Sequence, residues 1–376
     1  ENWFMDRLGF GEKYPNTLLS INTELDVEAS TIDDIAGKLN ISGFSMQNAE
    51  TGAYIIEPMD MSVQTHRTTR GERTIELAST PLNISAQGKF RFSTLATTLT
   101  NSLHKKLPTL IAYKKTPGNA DRMSFSIDVQ DTLLLRHLAL QNISIPERSH
   151  ISGELYGQDS LYINAEVPQL HIGKEHLRNI RLSVNGTPGV LTSSINTERR
   201  QKNGFISLST QLNANEDRLR LIAGIDNNRK PKVCGELDIT ANFSNTANGK
   251  QDIRAWIAPN DIIISDTTWR IHPASIAWDG KKATIHGFKI WQEQGRGITI
   301  DGTISDSAED TLKVGLQDIN VEYILDLVNF RSVLFQGLAT GTAIGTGLLS
   351  SPHATADITV NHFHFNNAPM GTLKAK

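Results

Sequence analysis

Ile206-Ser-Leu-Ser-Thr-Gln-Leu-Asn-Ala-Asn-Glu-Asp-Arg-Leu-Arg-Leu-Ile-Ala-Gly-Ile-Asp-Asn-Asn-Arg229 reads as two strands joined by a turn. Successive side chains of an extended chain point to opposite faces. Ile206, Leu208, Thr210 and Leu212 therefore share one face, with Ser207, Ser209 and Gln211 on the other. Beyond Asn213-Ala-Asn-Glu-Asp217, Leu219, Leu221, Ala223 and Ile225 alternate with Arg218 and Arg220. Period two with Asn/Asp punctuation is the signature of a hairpin. Similar runs sit at 182–184, 262–264, 285–290, 298–304 and 358–365. Turn signals recur at roughly the 8–12-residue spacing of all-β proteins, which predicts on the order of 20 strands.

A shorter phrase returns four times: Ile35-Ala-Gly-Lys-Leu39, Ile151-Ser-Gly-Glu-Leu155, Val233-Cys-Gly-Glu-Leu237 and Ile300-Asp-Gly-Thr-Ile304. Both aliphatics and the glycine point the same way, so one face of each strand is apolar with a gap in its middle. Repeated units of this kind build arrays. The irregular spacing argues against equal solenoid rungs.

Two segments break the alternation. Leu95, Leu99, Leu103 and Leu107, spaced by four, line one side of a helix, with Ser93 as its cap and Pro108 as its stop. Val321, Ile324, Leu325 and Val328 predict a second helix, capped by Asn320. The softest boundaries are the turn-rich stretches 114–119 and 242–249. Otherwise 1–376 reads as a single elongated β-repeat fragment of a longer protein, since the chain starts at Glu1 and stops in mid-pattern.

Charged residues are 20% of the chain and the formal net charge is −3. With no basic patch interleaved with aromatics, nothing points to nucleic acid. Hydrophobic residues are 38%, which suits a sheet with one apolar face better than a deep core. No stretch approaches the ~20 apolar residues of a membrane-spanning helix. The single cysteine, Cys234, excludes an internal disulfide.

The search for chemistry returns no catalytic residue, no cofactor and no metal. Gly341-Thr-Ala-Ile-Gly-Thr-Gly347 lacks the lysine of a phosphate loop and reads as strand. His362 and His364 have the spacing of a chelating pair on one strand face, but no third ligand is near in sequence. Asp306, Glu309 and Asp310 read as a solvated turn. Trp256, Trp269, Trp278 and Trp291 cluster in sequence, which keeps open an extracellular carbohydrate-binding or adhesive protein; alternation places Trp269 beside Ile271, a packing position. The apolar face remains. In a closed sandwich it is ordinary core and the glycines mark bulges; in an open sheet it is a groove, and large exposed apolar surfaces need a cover.

The order of motifs over 280–376 resembles the TamB branch of the AsmA-like superfamily, in the form seen in Bacteroidetes-type bacteria. It runs Ile298-Thr-Ile-Asp-Gly-Thr-Ile-Ser305, then Asp310-Thr-Leu-Lys-Val-Gly-Leu-Gln-Asp-Ile-Asn-Val-Glu-Tyr-Ile324. Gln336-Gly-Leu-Ala-Thr-Gly-Thr-Ala-Ile-Gly-Thr-Gly347, Ala356-Asp-Ile-Thr-Val360 and Met370-Gly-Thr-Leu-Lys-Ala375 follow. The resemblance implies an elongated, U-folded, taco-like β-sheet with an apolar concave groove and two short amphipathic helices. It also implies a periplasmic segment of an inner-membrane-anchored envelope protein that carries phospholipid between the two membranes and supports outer-membrane biogenesis. The partners implied are phospholipid acyl chains and, through other parts of the protein, a BamA-like outer-membrane barrel. On this reading the groove lining is Ile206, Leu208, Leu212, Leu219, Leu221, Ile262, Ile264, Ile298 and Ile300.

Overall fold

The computed structural model describes residues 2–4, 14–115, 121–130, 142–201, 204–246, 248–322 and 334–376. The chain is all-β, and every strand pairing described is antiparallel. It divides into two compact units, Glu1–Ser209 and Thr210–Lys376. The division falls inside a strand. The stretch 242–249 spans the end of one strand and the turn to the next, and 116–120 lie outside the described residues.

The first unit holds β1 (Asn2–Phe4), β2 (Thr17–Glu28), β3 (Ala36–Asn48), β4 (Tyr54–Arg67), β5 (Arg73–Ser79), β6 (Leu82–Lys89), α1 (Phe92–His104), β7 (Arg122–Val129), β8 (Ile143–Ser144), β9 (Ser149–Tyr156), β10 (Ser160–Ile172), β11 (Glu175–Thr187) and β12 (Val190–Gln201). Strands β1 to β7 pair in chain order. β9 then pairs with β7, and β10, β11 and β12 follow in turn. β8 meets the far end of β10. Such next-neighbour pairing follows from short polar turns between alternating strands.

Helix α1 forms where expected, but both its cap and its buried face differ from the sequence expectation. Arg91 stands at the cap position and offers no side-chain bond. The cap comes from far away in sequence: Asp33 Oδ1 accepts the Ser93 amide at 3.1 Å. The helix's buried residues are Thr94, Thr98, Asn101 and Ser102; of the leucine stripe, Leu99 is 37% exposed, Leu95 and Leu103 are half-buried, and Leu107, just beyond the helix, is buried. Buried Asp121 accepts from the Arg91 amide and from the hydroxyls of Thr94 and Thr98. Asn101 bonds the Lys114 backbone in both directions. A fully partnered polar network fixes one orientation, because any other would strand those groups. That outweighs the leucine periodicity.

Strand β13 (Gly204–Asn215) carries the division. The second unit continues with β14 (Arg218–Asp226), β15 (Val233–Asn245), β16 (Gln251–Ile257), β17 (Asn260–Ile264), β18 (Thr267–Ile271), β19 (Ala274–Trp278), β20 (Ala283–Trp291), β21 (Gly297–Ile304), β22 (Thr311–Asn320), β23 (Phe335–Thr346), β24 (His353–Phe365) and β25 (Ala368–Ala375). β16 and β17 both lie along β15, and β18 and β19 both lie along β20. They are two long strands, each broken by a proline. Ile257 faces Ala274 and Asn260 faces Ile271, so Ala258-Pro259 and His272-Pro273 oppose one another. Proline has no N–H for the ladder. The outer edges stay bonded: the Ala258 amide reaches the Asp238 carbonyl at 2.9 Å, and the His272 amide reaches Lys289 at 2.8 Å.

Bulges bend both units. Gly43 and Gly287 have φ of 63° and 71°. Each amide is caped by a carboxylate of the following strand, Asp60 and Asp301, both at 2.9 Å. Asp318, with φ of 48°, repeats the device with the Thr340 hydroxyl at 3.0 Å. A bulge adds one residue to a strand and increases its local twist.

At the second predicted helix, Asn320 Oδ1 accepts the Glu322 amide at 3.0 Å and Val321–Glu322 are helical. Ile324, Leu325 and Val328 lie outside the described residues.

Candidate functional site

Cross-strand register assembles the apolar positions into rows. In the first unit one row takes a residue from each of ten strands: Leu25, Leu39, Val63, Leu77, Ile84, Ile127, Ile151, Ala165, Leu182 and Ile195. In the second unit the pairing carries Ile271 to Ile290, Ile298, Leu316, Gly341, Ile358 and Ala375. A parallel row runs Phe288, Ile300, Val314, Ala343 and Ala356.

These rows are not sealed. Seven of the ten residues in the first row are half-buried, only Ala165 is buried, and the ends, Leu25 and Ile195, are 68% and 39% exposed. Among the described residues, buried apolar side chains form only two contacting groups. One is Tyr14, Phe44, Met46 and Ile56; the other is Ile257, Ile271 and Ala274 at the proline break.

Of the four glycines in the repeat phrase, Gly37 and Gly302 have positive φ, and the other two lie under neighbouring side chains. A Cβ on Gly153 would stand 2.5 Å from the Tyr162 carbonyl and 2.7 Å from the Phe125 ring. On Gly235 it would stand 2.4 Å from the Ile262 side chain. The missing side chain lets a neighbour lie across the strand, as aromatic residues do over sheet glycines. Gly153 and Gly235 are therefore filled gaps in the apolar face, not channels through it.

The nine expected lining residues all lie on strands. Leu219 and Leu221 oppose Ala241 and Ile239; Ile264 opposes Val233; Ile298 and Ile300 stand in the two rows of the second unit. Ile262 packs against the buried group at the proline break. These six share one face of the second unit. Leu208 and Leu212 on β13 are half-buried, and Ile206 is buried, 4% exposed, which makes it core. The first-unit row was not singled out by sequence. Alternation in 75–79, 82–86 and 123–129 carries its signal, but each run is too short to stand alone.

The opposite face is charged. Arg220 makes a two-pronged bond to Asp238, at 3.0 and 2.6 Å, and Arg270 another to Asp261, at 2.9 and 3.2 Å. These hydrogen bonds hold both carboxyls below the usual carboxylate range. The tryptophans divide between the faces. Trp269 is buried, 4% exposed, and Trp278 stands opposite Ile253 and Ala283 on the apolar side. Trp256 opposes Thr240 and Ser275 on the polar side, and Lys289 covers Trp291 at 4.2 Å. They form no common sugar-stacking platform.

The remaining positions offer little chemistry. His362 sits in a bulge with φ of 52°, and His364 Nδ1 turns back to the His362 carbonyl at 2.9 Å. Among the described residues no three His, Cys, Asp or Glu side chains converge. Residues 341–346 are strand, and Asp306 and Glu309 lie in the turn between β21 and β22. No described helix is long and apolar enough to cross a membrane.

Arg73 was not anticipated. It ends the alternation Arg73, Ile75, Leu77 and is only 2% exposed. It lies over the Phe92 ring at 4.8 Å and donates one bond to the Asp33 carbonyl, while its Nε and Nη1 have no hydrogen-bond partner. Burial draws its pKa below the ordinary arginine value. Set beside known proteins, the chain matches no family model, no curated protein and no solved structure.

Proposed function

We propose that this chain is a segment of a periplasmic lipid bridge, part of an inner-membrane-anchored envelope protein, in which phospholipid acyl chains lie along the apolar face of a U-folded sheet. The observation that carries this reading is the set of apolar rows running across each unit, only partly buried along most of their length and backed by a charged face. Each CH2 removed from water gains about 0.8 kcal/mol and asks for no hydrogen-bond geometry. A row of similar residues offers similar sites one after another, so a tail shifts without leaving a deep well. A BamA-like barrel is the partner proposed for other parts of the protein.

The test is site-specific photo-crosslinking in cells. Probes at Leu208, Leu221, Ile298 and Leu77 should yield phospholipid adducts, and probes at Thr240 and Thr299 on the polar face should not. Leu208→Arg and Leu221→Asp should impair envelope integrity while the chain stays folded. Equal adducts on both faces, or intact envelopes with several such variants, would refute the reading.

A further inference from the structure

Helix α1 is inverted relative to most surface helices, which bury an apolar stripe and wet a polar one. Thr94, Thr98, Asn101 and Ser102 are buried, while Leu99 stands 37% exposed between the half-buried Leu95 and Leu103. The chain then doubles back along the helix. The Ile111 amide reaches the Leu107 carbonyl at 2.9 Å, the Lys114 backbone exchanges bonds with the Asn101 side chain, and the Tyr113 ring lies 5.5 Å from His104. This return leaves Leu110 40% and Tyr113 55% exposed.

The same module is cationic. No aspartate or glutamate occurs between Glu76 and Asp121, in a chain of 40 acidic and 37 basic residues. The acids that reach α1 from elsewhere are each engaged: Asp33 by Ser93, Asp121 by Thr94 and Thr98, and Asp159 by Lys105. Arg91, Lys114 and Lys115 stay exposed and, among the described residues, make no ion pair. Leucine and tyrosine at the surface beside unpaired lysines is the composition of a segment that lies at an anionic lipid–water interface. A second copy fits this surface poorly, because a two-fold contact sets the same patch against itself and brings like cations together.

We propose that α1 and the return to Lys115 dock this chain on an anionic phospholipid surface, with Leu99, Leu110 and Tyr113 entering the head-group region and Arg91, Lys114 and Lys115 meeting the lipid phosphates. Each cation near such a surface strengthens attachment several-fold, and the attraction fades within a screening length. The end of the sheet where β6 passes to β7 is thereby held against a membrane. Docking of this kind is independent of where lipid tails lie on the apolar rows.

The experiment is flotation of the whole chain with two kinds of vesicle, phosphatidylcholine alone and phosphatidylcholine mixed equally with phosphatidylglycerol. The chain should float with the anionic vesicles, remain behind with the neutral ones, and be released at about 1 M salt, where the screening length is about 3 Å. Lys114→Gln/Lys115→Gln should weaken anionic binding about tenfold, and Leu99→Asp should weaken it about threefold or more. Should Leu99→Asp fail to fold, the lysine variant decides, since both of its side chains are exposed. The row variant Leu221→Asp should bind vesicles as the parent does. No flotation, equal flotation with both vesicles, or full binding by the lysine variant overturns the docking while leaving the lipid reading of the rows standing. A loss with Leu221→Asp as large as with the lysine variant would place attachment on the rows and overturn it too. Light scattering that shows a dimer separated by Leu99→Asp would assign this face to a second copy, against the proposal.

Discussion

The dry nodes and the open rows of this molecule are made of the same residues and differ only in what lies above them. Met46 and Ile56 are 1% and 0% exposed because Tyr14 and Phe44 close over them. Leu77 and Ile84, paired with one another in mid-sheet, have cross-strand neighbours but no lid, and stay half-exposed. Alternation thus defines a face, while closure comes from bulges and breaks. The node in the second unit forms where Pro259 and Pro273 interrupt the sheet. Stability is concentrated in the nodes, and the proposed binding surface is the rows.

The largest effect should separate the two kinds of site. Ile56→Ala should lower unfolding free energy by about 2–5 kcal/mol, the range for deleting a fully packed aliphatic. Leu77→Ala should cost less, about 1 kcal/mol, since its side chain is only partly buried. Comparable losses in urea titrations would mean that the rows are as sealed as the nodes.

A filled glycine gap sharpens the same contrast. Gly153→Ala drives a methyl into the Tyr162 carbonyl and the Phe125 ring, and should cost about 1–3 kcal/mol. An equal substitution at Gly189, where nothing lies within 4 Å, meets no neighbour and is strained only by its φ of 82°. Circular-dichroism melts of the two variants would show whether close packing or backbone conformation dominates.

Removing the distant cap should release the helix but not the sheet. Asp33→Ala deprives the Ser93 amide of its acceptor and should cost about 0.5–2 kcal/mol. Hydrogen exchange should rise in 92–104 and stay unchanged in β20 to β22.

The smallest expected effect is on the charged face. Asp238 is held down by Arg220 and Asp159 by Lys105, so both have a lower pKa folded than unfolded. Their contribution is complete above the unfolded value of about 3.9 and disappears as pH falls through the folded one. The urea midpoint should therefore drop below pH 4, and Asp238→Asn should reduce the drop. A midpoint insensitive to that substitution would assign the pairing no role in stability.

Most of the strand pattern was legible because alternation is local. Leu219, Leu221, Ile298 and Ile300 share a face as their spacing demands. The orientation of α1 was not legible: Leu95, Leu99, Leu103 and Leu107 announce an apolar stripe, but Asp121 and Asp33, distant in sequence, anchor the polar side instead. Arg73 was invisible for a similar reason. Its burial depends on Phe92 across the sheet end, and a lone arginine after a turn reads as solvent-exposed. The strand breaks were half-visible, since Pro259 and Pro273 are conspicuous but their opposition depends on register.

Native mass spectrometry of the chain purified from cells tests the central claim most directly. The account predicts folded protein carrying phospholipid-mass adducts, reduced by Leu221→Asp and unaffected by Thr240→Asp on the polar face. Folded protein free of lipid, or adducts indifferent to which face is altered, would contradict it.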